Sequence, residues 1–299
     1  MGVPRIGFIG FGEAAFHISS GLWSEGIEQI VAFDAMLEDL AYGPLIKERA
    51  QAAHVSLVSS LQQLIESSDV ILCATSAKYA VKIAEDAVKF VKDNQLYADL
   101  NSASPTVKKE IATIIGASGA LLVDAAVMEA VPPYRHKVPI SVSGNGASRF
   151  ADLMGAYGMN ITVINDKAGS SSAMKMVRSV FMKGFTALLL ETLSAAHKSG
   201  VEREIIQSIG GTLSDRSIVE LANLLITRTA VHAERRVAEM EEVTNTLREL
   251  NLDFAISAAT KIKLQHLVDL DLKLYFNGNA PERYEQVLEA INEISQVSN

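Results

Sequence analysis

A chain of 299 residues, 48% of them hydrophobic and 21% charged, carries enough apolar material for two packed domains. The formal net charge of −8 leaves no basic surplus to meet phosphates and argues against a general nucleic-acid binder, while the single cysteine, Cys73, excludes a disulfide framework and a cysteine metal cluster. No apolar run is long enough for a spanning helix and the first residues lack a signal-peptide layout, so a cytoplasmic protein with no membrane partner is expected.

The first apolar run, Ile6-Gly7-Phe8-Ile9-Gly10, reads as a strand and passes through Phe11-Gly12-Glu13-Ala14-Ala15 into a helical pattern. The spacing Gly10-x-Gly12-x-x-Ala15 is a dinucleotide fingerprint in its Ala-ending form. Gly10 permits the tight turn, Gly12 lets the backbone approach a pyrophosphate, and Ala15 keeps the helix close to the sheet. The helix start, with Glu13 and Ala14, then offers unpaired N–H groups to phosphate. The next strand, residues 29–33, ends at Asp34, 24 positions after Gly10, about where a carboxylate takes the adenosine ribose hydroxyls. A carboxylate there repels a 2′-phosphate, so NAD is expected over NADP. A plain strand-ending turn residue is the alternative for Asp34.

The alternation continues with a strand at residues 55–58, a helix at 59–67, a strand at 69–74, a helix at 77–91 and a strand at 96–100. Wholly apolar strands between helices indicate a mostly parallel sheet covered on both faces. In such sheets ligands lie beyond the C-terminal strand ends, which here carry Thr75, Ser76, Asn101 and Ser102. Cys73 is read as a small core residue.

One long helix is expected from Gly169 to Ser199, opened by a Gly and three Ser and stopped by Gly200. Ala173, Val177, Val180, Gly184 and Leu188 form its apolar face, with Lys175 pointing away beside Ser171, Arg178 and Met182. Beyond Gly184 the helix is apolar nearly all round and is expected to be buried. From Val201 onward the pattern is helical, with no Pro until Pro281. The expected organisation is a Rossmann-type α/β domain over 1–167, then an all-α domain over 168–299. His232 and Arg236 lie four apart, and Arg235 pairs with Glu239 at the same spacing. Ion pairing along an exposed helix is the preferred reading there, and reach into a substrate pocket the functional one. No histidine has metal-ligand spacing, so no metal is inferred. Apolar helix surface at 187–193 and 221–226 makes a homodimer plausible.

Three segments carry a family resemblance. Asp99-Leu100-Asn101-Ser102-Ala103-Ser104-Pro105 resembles the D-x-S-T-x-x-P segment of the 3-hydroxyacid dehydrogenases, a group that includes 6-phosphogluconate dehydrogenase. Asp124-Ala125-Ala126-Val127-Met128-Glu129-Ala130 stands where that family has D-A-P-V-S-G-G, and Gly169-x-Ser171-x-x-x-Lys175-x-x-Arg178 where it has G-x-G-x-x-x-K-x-x-N. The stretch around residues 232–240 resembles a branch with a 6-phosphogluconate-dehydrogenase-like C-terminal domain of unassigned function. The resemblance implies hydride transfer between a nicotinamide cofactor and a 3-hydroxy acid, with a helical domain that often dimerises. It implies Lys175 as general acid/base, Ser102 near nicotinamide and substrate, and the loop after Asp124 (Met128, Glu129) at the substrate.

Two departures bear on specificity. Met128-Glu129-Ala130 replaces Ser-Gly-Gly and runs into Val131-Pro132-Pro133-Tyr134, which shapes a different pocket from one that cradles a small carboxylate. Arg178 replaces Asn one turn from Lys175, where it is expected to lower the lysine pKa and to offer a fork to an anionic substrate group. On the residues alone, Lys175 and Arg178 fit better as two solvated charges. The leading expectation is an NAD-dependent dehydrogenase of a small, anionic, hydroxyl-bearing substrate, with decarboxylation if a 3-keto acid forms. The alternatives are an imine reductase on the same scaffold and a dinucleotide-binding sensor without turnover.

Overall fold

The computed structural model describes residues 2–297. The chain divides into two compact units, Met1–Val180 and Phe181–Asn299. In the first, strands and helices alternate: β1 (Ile6–Ile9), α1 (Glu13–Ser24), β2 (Ile30–Phe33), α2 (Gly43–Ala52), β3 (Ser56–Leu57), α3 (Leu61–Glu66), β4 (Val70–Cys73), α4 (Ala80–Ala87), β5 (Leu96–Asp99) and α5 (Pro105–Gly116). There follow β6 (Leu121–Val127), a single turn α6 (Val131–Tyr134), β7 (Ile140–Ser143), α7 (Ala147–Gly155) and β8 (Ile161–Asn165). The eight strands form one sheet in the order β3-β2-β1-β4-β5-β6-β7-β8. Pairing is parallel from β3 to β6; β7 runs antiparallel to β6, and β8 parallel to β7.

The strand composition explains the layering. All four residues of β1, β4 and β5 are buried, as a parallel sheet covered on both faces requires. Phe8, Phe11, Ile18, Leu22 and Phe150 fill one side, and Leu64, Ile71, Tyr97, Ile111 and Ile115 the other. The strand order reverses between β1 and β4, which opens a crevice at their C-terminal ends. The expected helix over 77–91 breaks into a short 3-10 turn, Ala77–Tyr79, and α4. Asp124, expected to introduce a loop, lies inside β6, and the loop begins at Met128.

That loop is fastened to the C-terminal end of α1. Arg135 donates to the Ser20 carbonyl at 2.6 Å and to the Ser20 and Ser24 hydroxyls. His136 Nε2 lies 3.2 Å from Glu25, and Lys137 3.0 Å from the same carboxylate oxygen. Burial holds the His136 pKa below its ordinary value, so the folded form favours the neutral ring. Gly21 makes the approach possible.

The helix α8 (Ser170–Ser199) starts in the first unit and ends in the second. The second unit adds α9 (Glu202–Leu213), α10 (Ile218–Glu249), α11 (Ala255–Asp269), α12 (Leu272–Tyr275) and α13 (Tyr284–Val297). The helix α10 opens on a capping box formed by Ser217 and Glu220. Its small core gathers Ala230, Leu272, Val287 and Ala290. Glu191 caps α11 by accepting from the Ile256 and Ser257 amides, each at 2.9 Å. Arg235 pairs with Glu239, as its spacing predicts. At His232 the backbone leaves helical geometry (φ −120°, ψ 17°) and α10 kinks. Arg236 reaches back across the kink to the Thr229 hydroxyl. Among the described residues no helix is long and apolar enough to cross a membrane.

The burial expected for α8 beyond Gly184 is met in part: Ala196 is buried and Phe185, Leu189 and Leu193 are half-buried, whereas Leu188 and Leu190 are 45% and 70% exposed, because the core of the second unit gathers residues of α10 to α13.

A methyl group on Gly21 would sit 2.0 Å from His136 Nδ1. G21A is therefore expected to dislodge the ring and lower stability by about 1–3 kcal/mol in urea unfolding. An unchanged midpoint would show that the ring moves aside at no cost.

Candidate active site

The cofactor-binding geometry begins at the turn between β1 and α1. Gly10 has φ +83°, and a Cβ there would lie 2.5 Å from the Thr75 methyl and 2.7 Å from the Ala74 carbonyl. Only glycine fits both constraints. Gly12 faces open space, with nothing within 4 Å of a would-be Cβ. As the N-cap of α1 it carries no side-chain cap, so the helix N-terminus stays open. Ala15 is fully buried and sets the close packing of helix on sheet. Asp34 braces this turn: one carboxylate oxygen accepts from the Phe11 amide at 2.7 Å, the other from the Met36 amide at 2.8 Å. The open Gly12 face, the uncapped helix and the carboxylate after β2 together fit the pyrophosphate and ribose of a dinucleotide.

Further along the strand ends, Thr75 donates its amide to Asn101 Oδ1 at 2.7 Å. Asn101 donates to Asp99 at 2.5 Å and points Nδ2 at Cys73 Sγ, 3.4 Å away. The buried Cys73 thiol is pushed up to about 12, chiefly by desolvation, and is an inert core group. Ser76 caps the short 3-10 turn through Lys78. Ser102 follows, exposed at the tip of the β5 end.

Beneath these residues lies a buried ion cluster. Lys108, fully buried on α5, donates to the Asp99 carbonyl at 2.6 Å. It pairs with Asp99 Oδ2 at 2.9 Å and Asp124 Oδ1 at 3.4 Å. Asp124 also receives the Gly169 and Ser172 amides at 3.0 and 3.1 Å and the Ser172 hydroxyl at 2.6 Å. Ser143 adds a hydroxyl bond to Asp124 and accepts the Ser171 amide. The cluster thus anchors the start of α8, where the helix dipole favours a carboxylate. Lys108 was not singled out in the sequence, although it shares the buried face of α5 with Ile111 and Ile115. A lysine on an apolar stripe was the available signal.

One turn into α8, Lys175 projects over the strand ends and donates to Ser102 Oγ at 2.8 Å. A cavity of about 400 Å³ is lined by Ala14, Thr75, Asn101, Ser102, Glu129 and Lys175, among others. Glycine turn, strand ends, substrate loop and lysine therefore converge on one space. Arg178 does not project alone: it donates to the Met128 carbonyl at 3.1 Å and to Glu129 Oε1 at 2.8 Å. The sequence suggests separate roles for the two, Glu129 in shaping the pocket and Arg178 as an anion fork. The structure joins them as one ion pair, each side chain nearly half exposed. His232 and Arg236 belong to the second unit, at the kink of α10.

The chain is similar to known proteins over most of its length. Residues 196–267 match a family model described as a domain of unknown function, DUF1932. A solved structure of a conserved protein of unknown function, described as structurally similar to 3-hydroxyacid dehydrogenases, is 33% identical with a TM-score of 0.62. That match covers 92% of this chain and 100% of the other.

The chain belongs to the 3-hydroxyacid dehydrogenase-like family.

Rat mitochondrial 3-hydroxyisobutyrate dehydrogenase is 23% identical over 71% of this chain, a match that spans 62% of that enzyme's length. An imine reductase from Myxococcus stipitatus in complex with NAD+ shares the fold, with a TM-score of 0.71 at 16% identity over 89% of this chain and 94% of the reductase.

Replacing Lys108 by Met would leave the Asp99 and Asp124 carboxylates buried together without a cation. K108M is expected to lose about 3–5 kcal/mol of stability in urea unfolding, the usual effect of breaking a buried ion pair. A loss below 1 kcal/mol would mean that the cluster does not carry the charge balance described.

Proposed function

We propose that this protein is an NAD(P)-dependent oxidoreductase, with NAD preferred, that oxidises the hydroxyl of a small 3-hydroxy acid or related polar alcohol. The observation that carries the reading is Lys175 Nζ at 2.8 Å from Ser102 Oγ, inside the cavity bounded by the glycine turn and the strand ends. When bound, the nicotinamide ring supplies the hydride acceptor or donor. Gly10, Gly12, Glu13, Ala14 and Ala15 would hold its phosphates, Asp34 its ribose, and Thr75, Ser76 and Asn101 the approach to the ring. The Asp34 carboxylate favours a free 2′-hydroxyl, which supports NAD over NADP.

The chain's own chemistry is proton management. Loss of hydride from a hydroxyl-bearing carbon requires removal of the hydroxyl proton. Lys175 is the base we assign to it, and Ser102 orients both the ammonium and the substrate oxygen. In the reverse direction Lys175 returns the proton to the carbonyl oxygen. A lysine at this point favours C–O chemistry over C=N reduction, because an imine nitrogen can be served by other donors. The helical unit is proposed as the substrate and dimerisation domain. His232 or Arg236 reaching the substrate is the part of the reading that rests on sequence alone.

K175M is expected to lower kcat by about 10²–10⁴-fold, the usual worth of a positioned acid/base. NADH affinity, read by fluorescence titration, should hold, and wild-type kcat/KM should be higher with NAD than with NADP. An active K175M removes the lysine assignment. NADH binding with no turnover over a panel of hydroxy acids and amino alcohols favours the sensor reading.

The exposed apolar residues Val177, Val180, Phe181 and Leu188, which share one face of α8, support a homodimer, since single chains rarely leave such a stripe in water. Light scattering should give twice the chain mass for the wild type and a smaller species for V180E. A wild-type monomer would remove the dimer from the proposal.

A further inference from the structure

We propose that Arg135 is a positioning residue for the catalytic cavity, holding the wall formed by residues 127–131 in place through a tether to α1. The proposal rests on the oxidoreductase reading for the reaction, and on the backbone and contacts of residues 127–137 for the tether.

The backbone at Arg135 is unusual for its residue type. Its φ is +53° and its ψ −130°, the geometry of the first central position of a type II′ turn, where glycine is usual. Among the described residues, the other non-glycine positions with positive φ are His54, Asn94, Asn251, Asp271 and Asn277. Those are the residue types that tolerate such a backbone. Asp271, for example, sits in the left-handed helical basin at φ +49° and ψ +39°. Arg135 lies outside that basin, so a long side chain is kept where glycine would fit without strain.

The contacts of the side chain show what it is kept for. A single nitrogen, Nη2, donates to the Ser20 carbonyl at 2.6 Å and to the Ser20 and Ser24 hydroxyls at 2.9 and 3.3 Å. These acceptors lie near the C-terminal end of α1, whose own last turn has no basic residue. Arg135 brings a cation to that end from outside the helix, where the dipole favours it. The next two residues grip the same helix end, His136 against Gly21 and Lys137 at Glu25.

The tether reaches the cavity through a stiff connection. Val127, Glu129, Ala130 and Val131 line the cavity, and Pro132 and Pro133 follow within the single turn α6. The two prolines fix their own φ, so a shift at Arg135 passes along the turn to the wall. Val131 is buried and belongs to the same core as Ile18 and Leu22 of α1. Nearer β6 the wall is held by α8, where Arg178 bonds the Met128 carbonyl and Glu129. The helix α1 itself begins at the cavity, with Ala14 in the lining. Substrate wall and cofactor helix are therefore joined as one body at Arg135. Lys175 stands on α8 and Ser102 after β5, so loss of the tether leaves the reacting groups where they are.

The test separates the tether from stability. R135A keeps the unfavourable backbone and removes the tether, whereas R135G removes both. R135G should melt a few degrees above R135A. Both should raise KM about tenfold, the scale of one lost contact, with kcat within about threefold of wild type. NADH affinity by fluorescence titration serves as the control for folding. R135K puts an ammonium where one nitrogen made every bond, and should return KM to within about threefold of wild type. The kinetics use whichever of 3-hydroxypropionate, 3-hydroxybutyrate and 3-hydroxyisobutyrate the wild type oxidises best. Hydrogen exchange is followed on the full chain saturated with NADH. Residues 127–131 should exchange about fivefold or more faster in R135G than in wild type, with residues 170–180 unchanged. An unchanged KM, a KM that recovers in R135G along with the midpoint, equal midpoints for R135A and R135G, or unchanged exchange at the wall overturns the proposal. Oxidation of none of the three acids counts against the dehydrogenase reading alone, and the exchange comparison then decides the tether.

Discussion

The meeting of Asp124 with the first amides of α8 is the contact on which the rest of the site depends. A carboxylate buried in a strand end takes two backbone N–H groups and a hydroxyl from a helix start, and so fixes where that helix begins. Lys108 makes this tolerable by offsetting the charge from below, and through Asp99 it ties the same anchor to the β5 end. The segment that carries Ser102 and the helix that carries Lys175 are thus referenced to one ion cluster. Their separation is set by the interior of the sheet and not by the surface, which is how a lysine and a serine 73 positions apart come within hydrogen-bond distance.

Much of this was legible in the chain and some was not, for physical reasons. The glycine turn could be read because backbone conformation restricts residue type: a positive φ and close walls leave Gly10 no substitute. The parallel strands could be read because burial on both faces leaves β1 and β4 without polar positions. Thr75, Asn101 and Ser102 followed from topology once the strand ends were placed. The Lys108 cluster escaped because a lone lysine in a helix is usually solvated, and only its partners, on separate strands, show otherwise. The Glu129–Arg178 pair escaped because it joins residues far apart in sequence, and charge signs alone do not reveal who meets whom. The burial expected beyond Gly184 held only in part, because an apolar helix pattern does not say which of its sides a neighbouring helix will cover.

The second unit holds itself together differently from the first. Its core is small, and polar contacts between helices do much of the positioning, as Glu191 does at the start of α11 and Asn223 does in accepting the Tyr284 amide. The kink at His232 belongs to the same pattern. Where regular helix geometry fails, a side-chain bridge from Arg236 to Thr229 spans the break. A domain organised in this way places individual side chains through hydrogen bonds, which suits a surface that must present specific polar groups.

The position of Asp34 has a consequence for how such a protein can change over evolutionary time. Its carboxylate holds the amides of Phe11 and Met36, and in the cofactor geometry proposed above it would also meet the adenosine ribose. A substitution that welcomed a 2′-phosphate by removing this charge would also release the turn that carries the glycines. Cofactor choice and turn geometry are therefore not independent traits here. A lineage that switched dinucleotides would need a second change to re-anchor the Phe11 amide, which places a two-step barrier in front of an exchange that looks like a single substitution.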